Sequence, residues 1–220
     1  KSDIFFKVLK YFEDGNIEFL VETPWGKFQA ASKIESEFNL YNLFLTLPYY
    51  QFINGDCGDF FSEVENLSLP MGRLNKIEIG NIYIDYAHTP KALESVCKCL
   101  FKKKKNKLII VFGAGGERDK GKRALMGEIA DKYCEKIYIT SDNPRNEDPQ
   151  KIANMIVEGI KESDKICIEL ERSRAIKNAI NELSEGDILL IAGKGHENKQ
   201  IIGDACLDFS DYEEVKKCIF

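Results

Sequence analysis

A glycine-rich turn between a strand and a helix constrains the fold of this chain most. Residues 107–112 read Lys-Leu-Ile-Ile-Val-Phe, glycines follow at positions 113, 115 and 116, and an amphipathic segment begins near residue 120. A short segment that is almost entirely apolar predicts a strand buried on both faces, which is typical of a parallel α/β sheet. Ligands of such sheets bind at the carboxyl ends of the strands, where this turn lies.

The turn combines glycines, which let the backbone approach a ligand closely, with several basic residues. These residues are Arg118, Lys120, Lys122 and Arg123. Beside a helix N-terminus they indicate an anionic ligand, and a tight turn with a solvated basic rim is the alternative. A phosphate loop, G-x-x-x-x-G-K-[ST], would match Gly116, Gly121 and Lys122, but Arg123 replaces the hydroxyl residue that ligates magnesium.

A dinucleotide-binding fingerprint, G-x-G-x-x-G, fits the same turn almost as closely. Gly113 and Gly115 match its first two glycines, and Asp142 lies near the place of a ribose-binding acid. Arg118, however, occupies the third glycine position. An NAD-binding Rossmann domain therefore remains an alternative that requires an arginine where glycine belongs.

Composition excludes several classes of protein. The chain has 31 basic and 36 acidic residues, a net charge of −5, which argues against a general nucleic-acid binder. Seven scattered cysteines without a C-x-x-C pair indicate reduced, intracellular usage, and two histidines exclude a histidine-rich metal site. No apolar stretch is long enough to span a bilayer, and no signal peptide opens the chain. We predict a cytoplasmic protein without a membrane segment.

The hydrophobic pattern divides the chain at about residue 70. Before it, the pattern predicts a hairpin of strands 17–22 and 27–30, a helix over 38–52 that contains Pro48, and a shorter helix over 59–67. These elements make a poor independent core, so we interpret 1–69 as the tail of a larger domain whose beginning is missing.

From residue 70 onward, strands and helices alternate. Predicted strands cover 74–79, 81–84, 108–112, 136–140, 166–170, 187–191 and 199–203, and predicted helices begin at Pro90, near 120–132, 149–161 and 172–183, and after Ser210. The alternation predicts a Rossmann-like α/β fold, a mostly parallel sheet with helices on both faces.

Four loops at the carboxyl ends of these strands carry charged, glycine or aromatic residues, over 85–90, 113–123, 141–145 and 193–197. Arg118 and Arg145 offer planar guanidinium groups suited to carboxylates. Glu197 and Asp142 offer carboxylates for an ammonium group. The sequence therefore predicts a site for a zwitterion.

A nucleotide is the second ligand that these loops indicate. Tyr86 is suited to stacking on a base, and Asp85 to accepting hydrogen bonds from ribose hydroxyls. Each residue also has a simpler interpretation: Asp85 as an acid at a helix start, His88 as a turn residue, and His196 and Lys194 as solvated loop residues. Jointly these simpler interpretations are disfavoured, because four loops share the pattern.

The motifs together resemble the Mur ligase family. The segments that carry the resemblance are Gly72-Arg73, Asp85-Tyr-Ala-His-Thr-Pro90, Phe112-Gly-x-Gly-Gly-x-Arg-Asp-Lys-Gly-Lys-Arg123, Asp142-Asn-Pro-Arg145 and Gly193-Lys-Gly-His-Glu197, with Thr23-Pro-Trp-Gly26 and Phe38-Asn-x-Tyr-Asn42 upstream. They stand in the order and spacing of the family, and the resemblance covers essentially the whole chain.

The resemblance implies a three-domain, ATP-dependent ligase of peptidoglycan synthesis, represented here by its C-terminal part. Residues 1–69 would end the central ATP-binding domain, and residues 70–220 would form the C-terminal domain that carries an amino acid and closes over ATP. The phosphate loop, the carbamylated lysine and the magnesium ligands would lie upstream. ATP and Mg²⁺ are thus expected to be bound mainly by that upstream part, and this chain alone is expected to be monomeric and inactive, with no catalytic or metal-binding residue.

The resemblance also implies the substrates, which are UDP-MurNAc-L-Ala-D-Glu and meso-diaminopimelate. ATP would convert the D-glutamyl carboxylate to an acyl phosphate, which the amine of the diamino acid would attack. Residues expected to bind diaminopimelate are Arg118, Asp142, Asn143, Pro144, Arg145, Gly193 and Glu197; residues expected to face the nucleotide are Arg73, Asp85, Tyr86 and His88. In the family, Asp142-Asn143-Pro144-Arg145 marks the members that use diaminopimelate. The substrate could also be a close isostere of diaminopimelate with the same distal carboxylate and amine. A ligase of the same family that adds lysine or another diamino acid, and a non-enzymatic amino-acid receptor, also stay open as interpretations of this chain.

Overall fold

The computed structural model describes residues 3–12, 16–34, 36–77 and 80–219. The chain divides into two compact units, Lys1–Pro70 and Met71–Phe220. Among the described residues, no helix combines the length and the apolar character needed to cross a membrane.

The first unit is an antiparallel three-stranded sheet covered by short helices. Its elements are β1 (Phe5–Tyr11), β2 (Ile17–Thr23), β3 (Gly26–Ser32), α1 (Glu37–Phe44), α2 (Leu47–Asn54) and α3 (Gly58–Glu63). Strand β2 pairs with both neighbours, and its register with β3 runs from Ile17 opposite Ser32 to Thr23 opposite Gly26. The predicted hairpin is therefore confirmed.

Alternate residues of β2 form the core of this unit. Ile17, Phe19 and Val21 are fully buried, as expected for a strand with one face against helices. The ring of Phe19 lies 5.3 Å from that of Phe44 in α1, in an edge-to-face arrangement.

The prediction of one helix over 38–52 is wrong. Helix α1 ends at Phe44 and α2 begins at Leu47, so that Pro48 lies in the first turn of a new helix. Proline lacks a backbone N–H and clashes with the preceding turn inside a helix, but it is tolerated at a helix start. The predicted helix over 59–67 is also shorter, because α3 passes into a 3₁₀ turn over Val64–Asn66.

The second unit is an α/β domain. Its elements are β4 (Asn75–Lys76), β5 (Ile82–Asp85), α4 (Pro90–Lys103), β6 (Leu108–Phe112), α5 (Gly121–Tyr133), β7 (Lys136–Ile139), α6 (Pro149–Val157), β8 (Ile166–Ile168), α7 (Arg172–Asn181), β9 (Ile188–Ala192), β10 (Lys199–Ile202), β11 (Ala205–Asp208) and α8 (Asp211–Ile219). The main sheet has the order β4-β5-β9-β6-β7-β8. Strand β4 joins it antiparallel and the other strands are parallel, which confirms the predicted fold class.

The two central strands explain why the sheet is parallel and covered on both faces. Every residue of β6 and β9 is buried. Ile109 and Val111 face a core that includes Ile176 of α7 and Val215 of α8. The alternate residues of β6, including Ile110, are also fully buried, and α4, α5 and α6 pack side by side.

One strand prediction requires correction. The predicted strand 74–79 is reduced to β4, and residues 78 and 79 lie outside the described residues. The predicted strand 199–203 is confirmed as β10, which pairs with β11. Strand β11 was not predicted because its residues are all exposed and so lack a buried alternation.

Close packing of α5 on the C-terminal end of α6 provides a test of this fold. A Cβ atom added at Gly127 would lie 2.1 Å from the carbonyl oxygen of Ile156. We expect Gly127→Ala to lower the free energy of unfolding by about 1–3 kcal/mol through overpacking, although alanine is the better helix former. Urea denaturation measures the loss. The control is Leu125→Ala, at a residue of the same helix that is 48% exposed, which should change stability by no more than about 0.5 kcal/mol. If both variants lost the same free energy of unfolding, the close packing at Gly127 would be contradicted.

Candidate functional site

The four loops with charged and glycine residues meet at one edge of the sheet. Their strands β5, β9, β6 and β7 are consecutive neighbours, so the carboxyl ends of the strands adjoin. Backbone hydrogen bonds link the loops: Gly193 donates to Asp85 at 3.1 Å, and Gly116 donates to Asn143 at 2.9 Å. The structure thus brings together the loops that were expected to form a ligand site.

The glycines of the turn after β6 allow close contact between loops. A Cβ atom at Gly113 would lie 2.1 Å from the carbonyl oxygen of Thr140, and one at Gly116 would lie 1.9 Å from that of Pro144. The expectation that all three glycines make room for a ligand is therefore wrong for these two. Helix α5 begins only at Gly121, well beyond the first glycine of the turn, which also distinguishes this loop from a dinucleotide-binding turn.

The basic residues of the turn differ in their availability to an anion. Arg123 is fully buried and paired with Glu147, and Lys122 donates to the carbonyl oxygen of His88 at 2.8 Å. The Nζ atom of Lys120 lies 3.9 Å from Glu147. Arg118 is exposed and makes no hydrogen bond or ion pair within the described part of the chain. Of the four predicted anion-binding charges, Arg118 is the one that the fold leaves free.

A buried ammonium group organises the loops after β7 and β9. Lys194 is 0% exposed, and its Nζ atom lies 3.1 Å from Asn143 Oδ1, 3.2 Å from Glu197 Oε2 and 3.7 Å from Asp142 Oδ1. Asn143 Nδ2 also donates to Glu197 Oε2 at 2.9 Å. The interpretation of Lys194 as a solvated residue is therefore wrong, and Asp142, Asn143 and Glu197 form one network around it.

Burial and pairing act differently on the two carboxylates of this network. Burial raises the pKa of Asp142, and the positive charges of Arg172 and Lys194 only partly oppose this. Burial acts in the same direction on Glu197, but the hydrogen bond from Asn143 and the Lys194 ammonium hold the pKa of Glu197 below its usual value. Glu197 is therefore ionised at neutral pH and can accept hydrogen bonds from a cationic ligand.

Arg145 presents one edge of its guanidinium to this site. Its Nη1 atom donates to the carbonyl oxygens of Gly116 at 2.8 Å and Asn143 at 3.3 Å. Within the described residues, Nε and Nη2 make no hydrogen bond, and these two atoms form the side-on fork that binds a carboxylate. A Cβ atom at Gly115 would lie 3.2 Å from Arg145 Nη1 and 3.5 Å from Arg118 Cγ, so both arginines lie beside this glycine.

The hairpin of β10 and β11 supports the loop that carries Arg145. Arg145 donates its backbone N–H to Ile201 at 3.1 Å and accepts from Gly203 at 2.8 Å. The side chain of Gln200 is buried and donates to the carbonyl oxygen of Asp142 at 2.9 Å, and the backbone N–H of Ile201 donates to Asn143 Oδ1 at 3.0 Å. Sequence reasoning missed Gln200, since a lone glutamine in a short strand carries no signal of such a role.

Asp85 holds the loop after β5 in place. Its Oδ2 atom accepts from the backbone N–H of Leu74 at 2.7 Å, and its Oδ1 atom accepts from that of Ala87 at 2.7 Å. Both oxygens of this buried carboxylate are thus used by the backbone. The structure gives Asp85 a positioning role, and its expected contact with a ribose stays a prediction.

Tyr86 lies at the centre of a cluster of rings that contacts the loop after β9. Its ring centroid is 4.6 Å from that of His88 and 5.0 Å from that of His196, and the guanidinium of Arg73 lies 5.6 Å from it. The Tyr86 hydroxyl donates to Glu197 Oε1 over a long 3.5 Å. The structure therefore brings three of the expected nucleotide residues, Arg73, Tyr86 and His88, together next to Glu197.

The burial of Asp85 predicts a pH dependence. Burial raises the pKa of Asp85 from 3.8 to about 6, although the hydrogen bonds from Leu74 and Ala87 oppose the shift. Since the folded state then holds this proton more tightly than the unfolded chain, the contribution of Asp85 to stability is full below its unfolded pKa of 3.8 and is lost as the pH rises through about 6. We expect the free energy of unfolding of the wild type, relative to Asp85→Asn, to fall between about pH 4 and about pH 7. Urea denaturation of both proteins at both pH values measures this difference in the free energy of unfolding. A difference that is the same at the two pH values would contradict the raised pKa of Asp85.

The fold and the site define a class of protein, the α/β domains that bind charged small ligands at the carboxyl edge of a parallel sheet. A family model described as "Mur ligase, glutamate ligase domain" matches residues 72–195, more than half of the chain. The chain therefore belongs to the Mur ligase family, as its motifs predicted.

Curated relatives cover nearly all of this chain. A protein of Rickettsia rickettsii named UDP-N-acetylmuramoyl-L-alanyl-D-glutamate--2,6-diaminopimelate ligase is 47% identical over 211 residues, which are 94% of this chain and 42% of the relative. A protein of the same name from Prochlorococcus marinus is 39% identical over 229 residues, covering 100% of this chain and 45% of the relative. The chain thus spans less than half the length of the curated relatives it matches.

Solved structures agree with this assignment. A solved structure of a protein named UDP-N-acetylmuramoyl-L-alanyl-D-glutamate--2,6-diaminopimelate ligase is 36% identical to this chain. The match covers 99% of this chain and 45% of that protein's chain, with a TM-score of 0.69. A folylpolyglutamate synthase of Mycobacterium tuberculosis, at 18% identity, covers 86% of this chain and 45% of its own chain, with a TM-score of 0.70. The second match shows a shared fold.

Proposed function

We propose that this chain is the C-terminal, amino-acid-binding part of an ATP-dependent ligase that joins meso-diaminopimelate to UDP-MurNAc-L-Ala-D-Glu. The observation that carries the proposal is the orientation of Arg145, whose Nη1 atom is fixed by two carbonyl oxygens while its Nε and Nη2 edge is open. The names of the relatives that cover this chain support the same substrate.

The site suits a ligand with charges of both signs. Arg145 and Arg118 lie beside Gly115 and would bind a carboxylate of diaminopimelate. Glu197 would accept from an ammonium group through Oε1, because its Oε2 atom is engaged by Asn143 and Lys194. The expected roles of Asp142, Asn143, Pro144 and Gly193 would then be to shape this pocket rather than to supply free charge.

Arg145 would also distinguish diaminopimelate from lysine. The two amino acids share a side-chain amine, but diaminopimelate has a second carboxylate that can form two parallel hydrogen bonds with the guanidinium. Lysine would leave that guanidinium unpaired and close to an ammonium group. Leaving one member of such a pair without its partner costs about 2–5 kcal/mol, which corresponds to a discrimination of about thirty-fold to several-thousand-fold.

The Arg145→Ala substitution tests this assignment in the full-length ligase. We expect wild type to show a higher kcat/KM for diaminopimelate than for lysine, and the substitution to lower that preference by about thirty-fold or more. The matched control is Arg174→Ala, which removes an arginine of α7 whose side chain is 69% exposed. A wild type that prefers lysine, or a variant that keeps the preference, would contradict the proposal.

We further propose that ATP contacts the loop 85–88 and that this loop completes a nucleotide site whose larger part, with the Mg²⁺ ligands, lies outside this chain. The partly buried ring of Tyr86, flanked by Arg73 and His88, fits an aromatic base by stacking and charge. The chain alone would therefore be inactive. We place the reaction in the cytoplasm, in keeping with the free thiols of all seven cysteines.

Tyr86 tests the nucleotide contact. In the full-length ligase, Tyr86→Ala should raise the KM for ATP and change the KM for diaminopimelate little, because the stacking surface is lost. Tyr86→Phe is the matched control, since it keeps the ring and removes only the long hydrogen bond to Glu197. If Tyr86→Ala instead raised the KM for diaminopimelate alone, this loop would belong to the amino-acid site.

A further inference from the structure

Two residues in the loops beside the proposed carboxylate site have an unfavourable backbone conformation. Glu117 has φ of 55° and Arg145 has φ of 51°, values in the left-handed region that favours glycine. Non-glycine residues remain in this region where the surrounding structure holds them there. Glu117 immediately precedes Arg118, so both arginines of the proposed site depend on a strained segment.

An ion pair between the buried Arg123 and the partly exposed Glu147 joins these two segments. Arg123, which is 0% exposed, donates from Nη1 to Glu147 Oε2 at 2.9 Å and from Nη2 to Glu147 Oε1 at 3.1 Å. Its Nη2 atom also donates to the carbonyl oxygen of Gly115 at 3.1 Å. A two-point contact of this kind fixes the direction of both side chains.

Glu147 extends the connection to both strained residues. Its Oε1 atom accepts from the backbone N–H of Glu117 at 2.5 Å, and its own backbone N–H donates to Pro144 at 3.0 Å, next to Arg145. The hydrogen bonds from Arg123 and from Glu117 lower the pKa of Glu147 to about 2, so the carboxylate is charged at neutral pH. The pair therefore ties the turn after β6 to the loop after β7.

We propose that Arg123 and Glu147 act as a clamp that positions Arg118 and Arg145, and that this clamp sets the preference for a diamino acid with a distal carboxylate. The inference rests on the proposed function and adds two positioning residues to it. Arg123 is buried, and its Nη1 and Nη2 atoms are bonded to protein groups, so it acts through Arg118 and Arg145 rather than on the ligand.

The alternative is that the pair only stabilises the fold, and Glu147→Gln separates the two roles. This substitution is nearly isosteric and removes the charge. Its single oxygen can keep the bonds that Oε1 accepts from Glu117 and from Arg123 Nη2, but the amide NH2 group that replaces Oε2 offers no acceptor to Arg123 Nη1. We expect it to raise the KM for meso-diaminopimelate by about 10- to 100-fold, since a displacement of about 1 Å can cost a factor of about 100. The preference over L-lysine should fall, while the KM for ATP should stay unchanged.

Binding to the 220-residue chain provides a second measurement. Titration calorimetry should show that Glu147→Gln weakens the binding of meso-diaminopimelate more than the binding of L-lysine. Arg123→Lys should act in the same direction, because it keeps the buried charge and loses the two-point contact. Thermal denaturation establishes that each variant is folded.

Ile152→Val is the control for a simple loss of stability. Ile152 is a buried residue of α6, so the substitution weakens the same unit without removing a bond to either loop. If it lowers the preference for diaminopimelate as much as Glu147→Gln does, or if Glu147→Gln and Arg123→Lys both keep the wild-type preference, the clamp is overturned. A wild-type ligase without that preference would instead overturn the proposed function, and this inference with it.

Discussion

The burial of one ammonium group, that of Lys194, is the interaction on which the rest of the site depends. An isolated charge in a protein interior is strongly unfavourable, so it persists where oppositely charged and polar groups surround it. Lys194 has such groups in Asp142, Asn143 and Glu197, which come from two loops whose strands, β7 and β9, lie on either side of β6. The need to solvate this charge therefore fixes the loop after β7 against the loop after β9.

A second buried pair extends the same principle beneath the site. Arg172 binds Asp211 at 2.7 and 2.8 Å and donates to the carbonyl oxygen of Ala192 at the end of β9. Together with Lys194, Asp142 and Glu197, the pair of Arg172 and Asp211 makes a group of two positive and three negative side chains. Ionised together they carry one net negative charge, which a ligand ammonium would offset. The raised pKa of Asp142 is consistent with that excess of negative charge under burial.

Hydrophobic continuity made the fold predictable, because a fully buried strand must be apolar along its whole length, as β6 and β9 are. The candidate site followed from the rule that ligands bind at the carboxyl ends of such strands. The burial of charged residues was not predictable. Lys194 and Arg123 look in sequence like solvated or ligand-binding cations. Their role is set by tertiary partners, and Glu147 lies 24 residues from Arg123 in the chain, too far for any helical or strand spacing to reveal the pair.

The hairpin of β10 and β11 shows how the fold supports the site without adding to the core. Strand β11 is exposed along its length, so its burial cannot account for its presence. It does provide a partner that keeps β10 extended. The hairpin in turn holds the backbone N–H and carbonyl of Arg145 through Ile201 of β10 and Gly203 of the turn that follows. A guanidinium that is already held in place loses little conformational freedom on binding, so more of its interaction energy remains for recognition. If Arg145 binds the distal carboxylate as proposed, rigid support of its backbone, and not charge alone, would be the physical basis of selectivity at this edge of the sheet.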